Sequence, residues 1–593
     1  MLSHSFSSHA IGVLAVAVCV VAAPPVQKRS TPLVTLDYGT FQGFNSAENT
    51  ESFLGVPFAQ PPVGQLRFNN PVPPQPFTGV KNATWWGSAC PQQPVLAAGE
   101  AFPDNAGLSG VTYYLGELEP SGVVASSEDC LYTNVVRPAG VSAGTKLPVV
   151  VWIYGGAFEN GDASAYNGTS IVSRSMSLET PVIYVSFNYR LNAFGFLGGK
   201  EVQAAGLGNF GLHDQRFALQ WVQKYITLFG GNPEQVVVWG QSAGSISTMS
   251  QMVAYDGQLD GLFHGAVMES GSASPMRDIT FQEAQDNYDF IVTQTNCTSA
   301  TDTLNCLRQA PYQSIINAVL QTAPVLSYQA LNISWQPLVD GVFFKQSARQ
   351  SLKQGKYARI PAILGDVDDE GTLFSLYSLN VTTNDEFLDY IRTVLGNSFF
   401  SWALVNTILP SSFLVGATDA EINQLGELYP EDPASGSPYN VGTNDTLTPE
   451  FKRISSFQGD FYFQVPRRFA LSYLSQTQNV WSYLWKRDKF VPGIGSFHES
   501  DLQEFYDLTG TTDWVGTDAL LNFAYTLNPN VPSHGYPSGA ATSLLSNLSW
   551  PQYSIWSPNL LTFEDPNVLT FLKDTFRFEA MAFLSWMQDQ MDL

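Results

Sequence analysis

Apolar residues in this chain gather in short runs separated by turn-forming residues. Leu147–Tyr154, Pro181–Asn188, Val236–Trp239, Leu262–Met268, Ala362–Leu364 and Val480–Trp485 are such runs. They are rich in β-branched and aromatic residues and lack polar alternation. That pattern predicts strands covered on both faces, as in a parallel sheet. Between the runs, His213–Phe229 sets Phe217, Leu219, Trp221 and Val222 at helical positions. Strand and helix signals alternate from Leu147 onward, which predicts an α/β architecture with a mostly parallel sheet flanked by helices. The N-terminal stretches Leu33–Phe44 and Gly55–Phe68 read as strands and turns. The long stretches Phe281–Gln350 and Thr383–Tyr473 are expected to be helical insertions over the carboxyl edge of the sheet. Pro and Gly are spread throughout, with no internal repeat and no low-complexity block.

One run ends in an unusual way. Val236-Val237-Val238-Trp239 leads directly into Gly240-Gln241-Ser242-Ala243-Gly244. Glycines on both sides of a serine permit a turn so tight that the hydroxyl is pushed off the sheet edge. Ala243 then opens a helix and can offer its backbone N–H to a developing oxyanion. A plain glycine-rich turn is the bland alternative for this motif. The strand before it and the helix-compatible stretch Ser245–Met252 after it favour a nucleophile.

A serine nucleophile needs a histidine to take its proton and an acid to orient that histidine. Beyond the first residues, four histidines remain: His213, His264, His498 and His534. His213 and His264 adjoin scaffold elements and are read as structural. His534 sits in a Pro/Gly/Ser loop and is read as a surface residue. His498 follows the strand Val480–Trp485 and a Pro/Gly turn, where the base belongs. For the acid, Asp366, Asp368, Asp369 and Glu370 all follow Ala362–Leu364. Spacing alone reads them as a solvated strand-end loop, with Glu370-Gly371 favoured because the glycine lets the chain turn sharply. The loop Tyr154-Gly155-Gly156-Ala157-Phe158 follows another strand. Its small residues allow successive N–H groups to converge, so Gly156 and Ala157 join Ala243 as candidate oxyanion donors.

Composition narrows the setting. The 593 residues carry a formal net charge of −24, which argues against a nucleic-acid partner. Residues Ile11–Ala23 form an apolar run too short to span a bilayer. Residues 1–22 read as a signal peptide and 23–29 as a short propeptide ending at Lys28-Arg29, leaving 30–593 as a single domain and a secreted, extracellular protein. The apolar run lacks the usual preceding Lys or Arg. No later run is long enough for a transmembrane helix. Cys19 departs with the leader, leaving Cys90, Cys130, Cys297 and Cys306. An even number in a secreted chain predicts two disulfides. Of three possible pairings, the sequential one, Cys90–Cys130 and Cys297–Cys306, closes the shorter loops and is expected. Sequons stand at Asn82, Asn167, Asn296, Asn332, Asn380, Asn444 and Asn547. No metal ligand set and no cofactor are expected.

These blocks together resemble the type-B carboxylesterase/lipase family of α/β-hydrolases, which includes cholinesterases, and within it the secreted fungal lipases and sterol esterases. The likeness includes Gly55-Val56-Pro57-Phe58-Ala59, Ser127-Glu128-Asp129-Cys130-Leu131-Tyr132, Asn188-Tyr189-Arg190, Gly230-Gly231-Asn232-Pro233, Asp369-Glu370-Gly371-Thr372 and Trp550-Pro551-Gln552-Tyr553. The resemblance implies the α/β-hydrolase fold with helical cap insertions. It implies Glu370 as the acid and His498 as the base, supports the sequential disulfides, and suggests Leu373 and Phe374 as substrate-binding residues in an acyl tunnel. Two departures stand out. Gln241 occupies the place where the family most often has Glu, which counts against cationic choline esters. The oxyanion loop reads Gly-Gly-Ala rather than three glycines.

The segment between Cys90 and Cys130 resembles a disulfide-tethered lid, with Val95, Leu96, Phe102, Leu108, Val111, Tyr113, Tyr114, Leu115 and Leu118 among small and acidic residues. The plain alternative is a loop packed on the core. The expected activity is hydrolysis of hydrophobic esters by a Ser-His-Glu acyl-enzyme route, with acylglycerols and sterol esters as substrates and a lipid interface or micelle as peripheral partner. Rival readings are an esterase for aromatic or carotenoid esters and a non-catalytic adhesion protein. Retention of Ser242, Glu370 and His498 weighs against the last. A monomer or weak dimer is expected.

Overall fold

A computed structural model describes residues 31–47, 49–95, 124–392, 414, 416–507, 513–532, 535–537 and 539–591. The expected leader, His534 and all the proposed lid residues except Val95 lie outside the described residues. The strands are β1 (Leu33–Leu36), β2 (Gly39–Gln42), β3 (Phe44–Asn45), β4 (Thr50–Pro57), β5 (Val80–Asn82), β6 (Tyr132–Pro138), β7 (Leu147–Ile153), β8 (Ile183–Phe187), β9 (Gly231–Gln241), β10 (Gly265–Glu269), β11 (Ala362–Val367), β12 (Val480–Lys486), β13 (Asn559–Glu564) and β14 (Val568–Lys573).

Eleven of them form one sheet in the order β14-β13-β12-β11-β10-β9-β7-β8-β6-β4-β3. From β13 across to β8 every neighbour pair is parallel. The two margins are antiparallel. The parallel strands are the continuous apolar runs: Val149, Val150 and Val151 on β7 and Val236, Val237 and Val238 on β9 are fully buried. Helices on both faces explain why these strands show no polar alternation. β1, β2 and β5 make a separate small sheet.

Boundaries differ from the sequence reading where a glycine intervenes. The run from Leu262 becomes a strand only at Gly265, because Gly261 (φ 73°) and a turn bond from Leu262 N–H to Leu259 C=O come first. The strand in Gly55–Phe68 ends at Pro57. The helix predicted over His213–Phe229 runs Phe210–Tyr225 and tightens into a 3-10 turn that stops at Gly230 (φ 94°). Both long insertions carry helices, Gln282–Gln294, Thr303–Gln309 and Tyr312–Val319 in the first and Asn384–Arg392, Asp419–Leu428, Phe451–Gly459 and Val465–Leu474 in the second, but residues 320–347 of the first form turns rather than helix.

The disulfides are Cys90–Cys130 and Cys297–Cys306. Ala89 and Ser126 pair as an isolated bridge beside the first of them. The two ends of the proposed lid segment are therefore fastened to each other at its base. A second apolar cluster, including Leu373, Phe374, Phe457, Phe461, Phe463, Ile494 and Phe497, packs the second insertion against the loop after β12. That packing positions the site.

Candidate active site

Four strands of the parallel run β12-β11-β10-β9-β7 deliver the predicted residues to one place. Ser242 follows β9, Glu370 follows β11, His498 lies beyond β12, and the Gly155–Phe158 loop follows β7, which is β9's other neighbour. Parallel pairing brings all these carboxyl ends to the same edge of the sheet.

Ser242 sits at φ 54°, ψ −124°, a conformation costing about 1–3 kcal/mol that only a tightly determined turn sustains. Its N–H donates to Glu269 C=O at 2.8 Å, and its C=O accepts from Ile246 N–H at 2.9 Å. The glycines are demanded by contact. A Cβ on Gly240 would lie 2.3 Å from Gly244 O, and one on Gly244 would lie 1.9 Å from Ile153 O. The helix Ala243–Gly257 can start directly beneath the serine only because neither has a side chain.

His498 Nδ1 and Glu370 Oε2 are 2.6 Å apart, with both residues buried. The loops carrying them are zipped together: Asp369 N–H donates to Ser496 C=O at 3.0 Å, and Ser496 N–H donates to Asp369 Oδ2 at 2.9 Å. Val367 N–H donates to Glu370 Oε1 at 2.9 Å. Burial pushes the Glu370 carboxyl up, against the pull of the Ser270 hydroxyl and the Val367 N–H. Burial likewise pushes the His498 imidazole down, although the charges of Glu499, Asp501 and Asp366 work against it. With Nδ1–H given to Glu370, Nε2 carries the lone pair. That nitrogen lies 3.3 Å from Gln241 Nε2, so the Gln241 amide donates to it.

The loop after β7 is built for N–H groups. Gly156, Ala157 and Phe158 have φ of 90°, 56° and 60°. The loop is pinned from outside: Asn192 N–H donates to Phe158 C=O at 2.6 Å, and Gly161 N–H donates to Gln92 Oε1 at 2.7 Å. A Cβ on Gly156 would lie 2.3 Å from Asn160 O, so glycine is required there. Ala157 holds its positive φ with a methyl group in place.

Two cavities meet at Ser242. One, of about 50 Å³, is bordered by apolar side chains including Ile246, Met276, Leu331, Ile333, Phe374 and Phe463. The other, of about 280 Å³, is bordered by Gly155, Gly156, Ala157, Leu373, Phe374, His498 and Glu499. Leu373 and Phe374, both read from the sequence, are buried here, and the Phe374 ring stands 5.1 Å from the His498 ring.

The acidic cluster at the end of β11 corrects the sequence reading. Asp366, Asp368, Asp369 and Glu370 are all buried rather than solvated. Cations supplied from distant elements make that possible. Arg467 Nε meets Asp366 at 2.8 Å, and Lys489 Nζ meets Asp368 at 2.6 Å and also pairs with Asp369.

Sequence reasoning missed several neighbours. The Phe463 ring lies 4.6 Å from that of His498, tilted by 41°. It is presented by a π-helical turn, Asp460–Gln464, just before Pro466, which has no N–H to give the Tyr462 carbonyl. Ser274 Oγ donates to that carbonyl at 3.3 Å. The Phe461-Tyr462-Phe463 run ahead of a proline was the available signal. Glu269, Glu159 and Asp501 are also buried near the site. Burial pushes the first two well above the usual carboxylate range and Asp501 up to about 7.

His213 and His264 stay apart. His213 lies in the helix Phe210–Tyr225 against Phe343 and is pushed down to about 4 by burial. His264 leads into β10, its N–H donating to Val236 C=O. Of the sequon asparagines, Asn332 is buried, while Asn82, Asn167, Asn296, Asn380, Asn444 and Asn547 are exposed. Among the described residues no helix is long and apolar enough to cross a membrane.

Comparison with known proteins gives the family and the fold. The carboxylesterase family model matches residues 30–567. Lipase 2 of Diutina rugosa is 37% identical over 564 residues, covering 94% of this chain and 96% of its own. A secreted triacylglycerol lipase of Gibberella zeae is 35% identical over 581 residues, covering 95% and 92%. The crystal structure of Aspergillus niger EstA superposes with a TM-score of 0.74 at 25% identity, covering 95% of this chain and 99% of that one.

Proposed function

The chain belongs to the carboxylesterase family and is a carboxylic ester hydrolase, and on that premise we propose that it cleaves hydrophobic esters through Ser242, His498 and Glu370. The observation that carries this reading is the 2.6 Å contact between His498 Nδ1 and Glu370, beside a serine held at φ 54° where two cavities meet. Ser242 Oγ attacks the ester carbonyl while His498 Nε2 takes its proton. The N–H groups of Gly156, Ala157 and Ala243 hold the oxyanion. The tetrahedral adduct collapses, His498 returns the proton to the leaving alcohol, and water releases the acyl group by the same route in reverse. Glu370 keeps the imidazole in the tautomer that leaves Nε2 free to accept, and steadies the imidazolium. Gln241 has to release Nε2 for Ser242 to use it.

The smaller, apolar cavity suits the acyl chain, and the larger one beside His498 suits the alcohol. Acylglycerols and sterol esters at a lipid surface fit that division, and the Gibberella relative is named a triacylglycerol lipase. The leader-like residues 1–29 and the two disulfides support secretion. The reading is tested by labelling the purified protein with a serine-reactive organophosphate and mapping the adduct. The label should sit on Ser242 and abolish hydrolysis of long-chain p-nitrophenyl esters. A label elsewhere with full loss of activity would overturn it.

A further inference from the structure

A cleft of about 490 Å³ lies at the margin of the main sheet remote in strand order from β9–β12. It is walled by β3, β4, the loop after β5 and the loop before the helix Thr169–Ser177. Its size falls in the range of small-ligand pockets, about 300–1,000 Å³. Every described residue bordering it is uncharged, in a chain with 52 acidic and 28 basic residues. Trp85 stands 65% exposed and Trp86 is half-buried. Around the two indoles are Asn45, Ser46, Ser52 and Thr84. An exposed tryptophan among neutral hydrogen-bonding groups suits a ligand with an apolar face and a hydroxylated edge. A pyranose ring has both.

The cleft also has a built-in source of sugar. Asn167 and Thr169, the two ends of a sequon, both border it. The Asn167 Oδ1 accepts from Thr169 N–H at 3.1 Å and from Thr169 Oγ1 at 2.7 Å. The carboxamide oxygen is thus used within the turn, and the amide nitrogen is left as the group to be modified. We propose that Asn167 carries an N-linked glycan whose first sugars seat in this cleft against Trp85. In the modification the amide nitrogen bonds to C1 of the first sugar of a lipid-diphosphate-linked oligosaccharide. The amide loses a proton and the lipid diphosphate departs. A second sequon, Asn82-Ala83-Thr84, is close by, but only Thr84 borders the cleft, so the glycan is assigned to Asn167. The inference needs passage through a secretory pathway but does not depend on the catalytic assignment.

The test uses full-length protein secreted from a eukaryotic host. Glycopeptide mass spectrometry reads occupancy at Asn167, and hydroxyl-radical footprinting reads the reactivity of Trp85. The expected result is an occupied Asn167 and a Trp85 that is oxidised several-fold more slowly in the wild type than in Asn167→Gln. Asn82→Gln should leave that protection unchanged. Trp85→Ala should speed native-state endoglycosidase trimming at Asn167 several-fold while leaving ester hydrolysis unchanged. An unmodified Asn167, equal Trp85 reactivity in wild type and Asn167→Gln, or protection lost in Asn82→Gln instead, would each overturn the proposal.

Discussion

The Gln241 side-chain amide lies 3.3 Å from Nε2 of His498, on the nitrogen proposed to take the proton of Ser242. The two residues are far apart in sequence, and Gln241 is the immediate neighbour of Ser242. It is fully buried at the end of β9. A neutral donor here holds the imidazole in register without adding charge.

Replacing Gln241 by Glu would set a carboxylate against that nitrogen. An opposite charge at this range favours the imidazolium, by about 1–3 pKa units. The acid limb of kcat/KM should therefore move to higher pH than in the wild type, with the alkaline plateau less affected. A pH profile that superposes on the wild type's would show that Gln241 does not touch the base in solution.

The wild-type profile has its own expectation. Burial holds His498 below the ordinary imidazole value of 6.5. A base must be unprotonated to act, so activity should persist into mildly acidic solution, with the acid limb of kcat/KM below about 6.5. A limb well above that value would mean that the pair titrates through the Glu370 carboxyl instead.

Ser242→Ala should reduce kcat by roughly 10⁴-fold or more with little change in Tm, because alanine inherits the same strained turn. Glu370→Gln should cost roughly 10²–10⁴-fold in kcat, through loss of the correct tautomer. Asp369→Asn should behave differently. Asp369 accepts from Ser437 Oγ, Tyr439 N–H and Ser496 N–H and pairs with Lys489. Its loss should destabilise the fold by about 3 kcal/mol and lower kcat less than Glu370→Gln does. Paired thermal melts and steady-state kinetics separate the two, and a larger kcat loss for Asp369→Asn would reverse the assignment of the acid.

Asp574 supplies a pH test of stability. Burial opposes its ionisation, but Arg467 and Arg468 outweigh that and hold it at about 2, against 3.8 unperturbed. A depressed carboxylate contributes stability above its unfolded pKa and loses it as pH falls through the folded one. The contribution is about 2 kcal/mol above pH ~4 and fades toward pH ~2. Urea unfolding of wild type and Asp574→Asn should therefore converge as pH drops through that window. A constant gap from pH 5 to pH 2 would remove the ion pair as the cause.

Much of this molecule was legible from local pattern. Continuous apolar runs announced buried parallel strands, and paired glycines around Ser242 announced a strained turn. Both follow from short-range sterics and from covering both faces of a sheet, which act on neighbours in sequence. His498 emerged by elimination among few histidines, and the disulfides from the shorter loops they close. The acid was harder. Four carboxylates in a row look alike in sequence, and spacing read them as solvated. Packing decided otherwise: Arg467 and Lys489, brought from later elements, neutralise Asp366, Asp368 and Asp369, and Glu370 is the one left facing an imidazole. The contact of Gln241 with His498, the Phe463 ring beside it and the meeting of two cavities at Ser242 likewise belong to tertiary structure alone. Each depends on which distant surfaces are driven together and on how far water is excluded between them, and neither quantity is written in the order of residues along a single strand or turn.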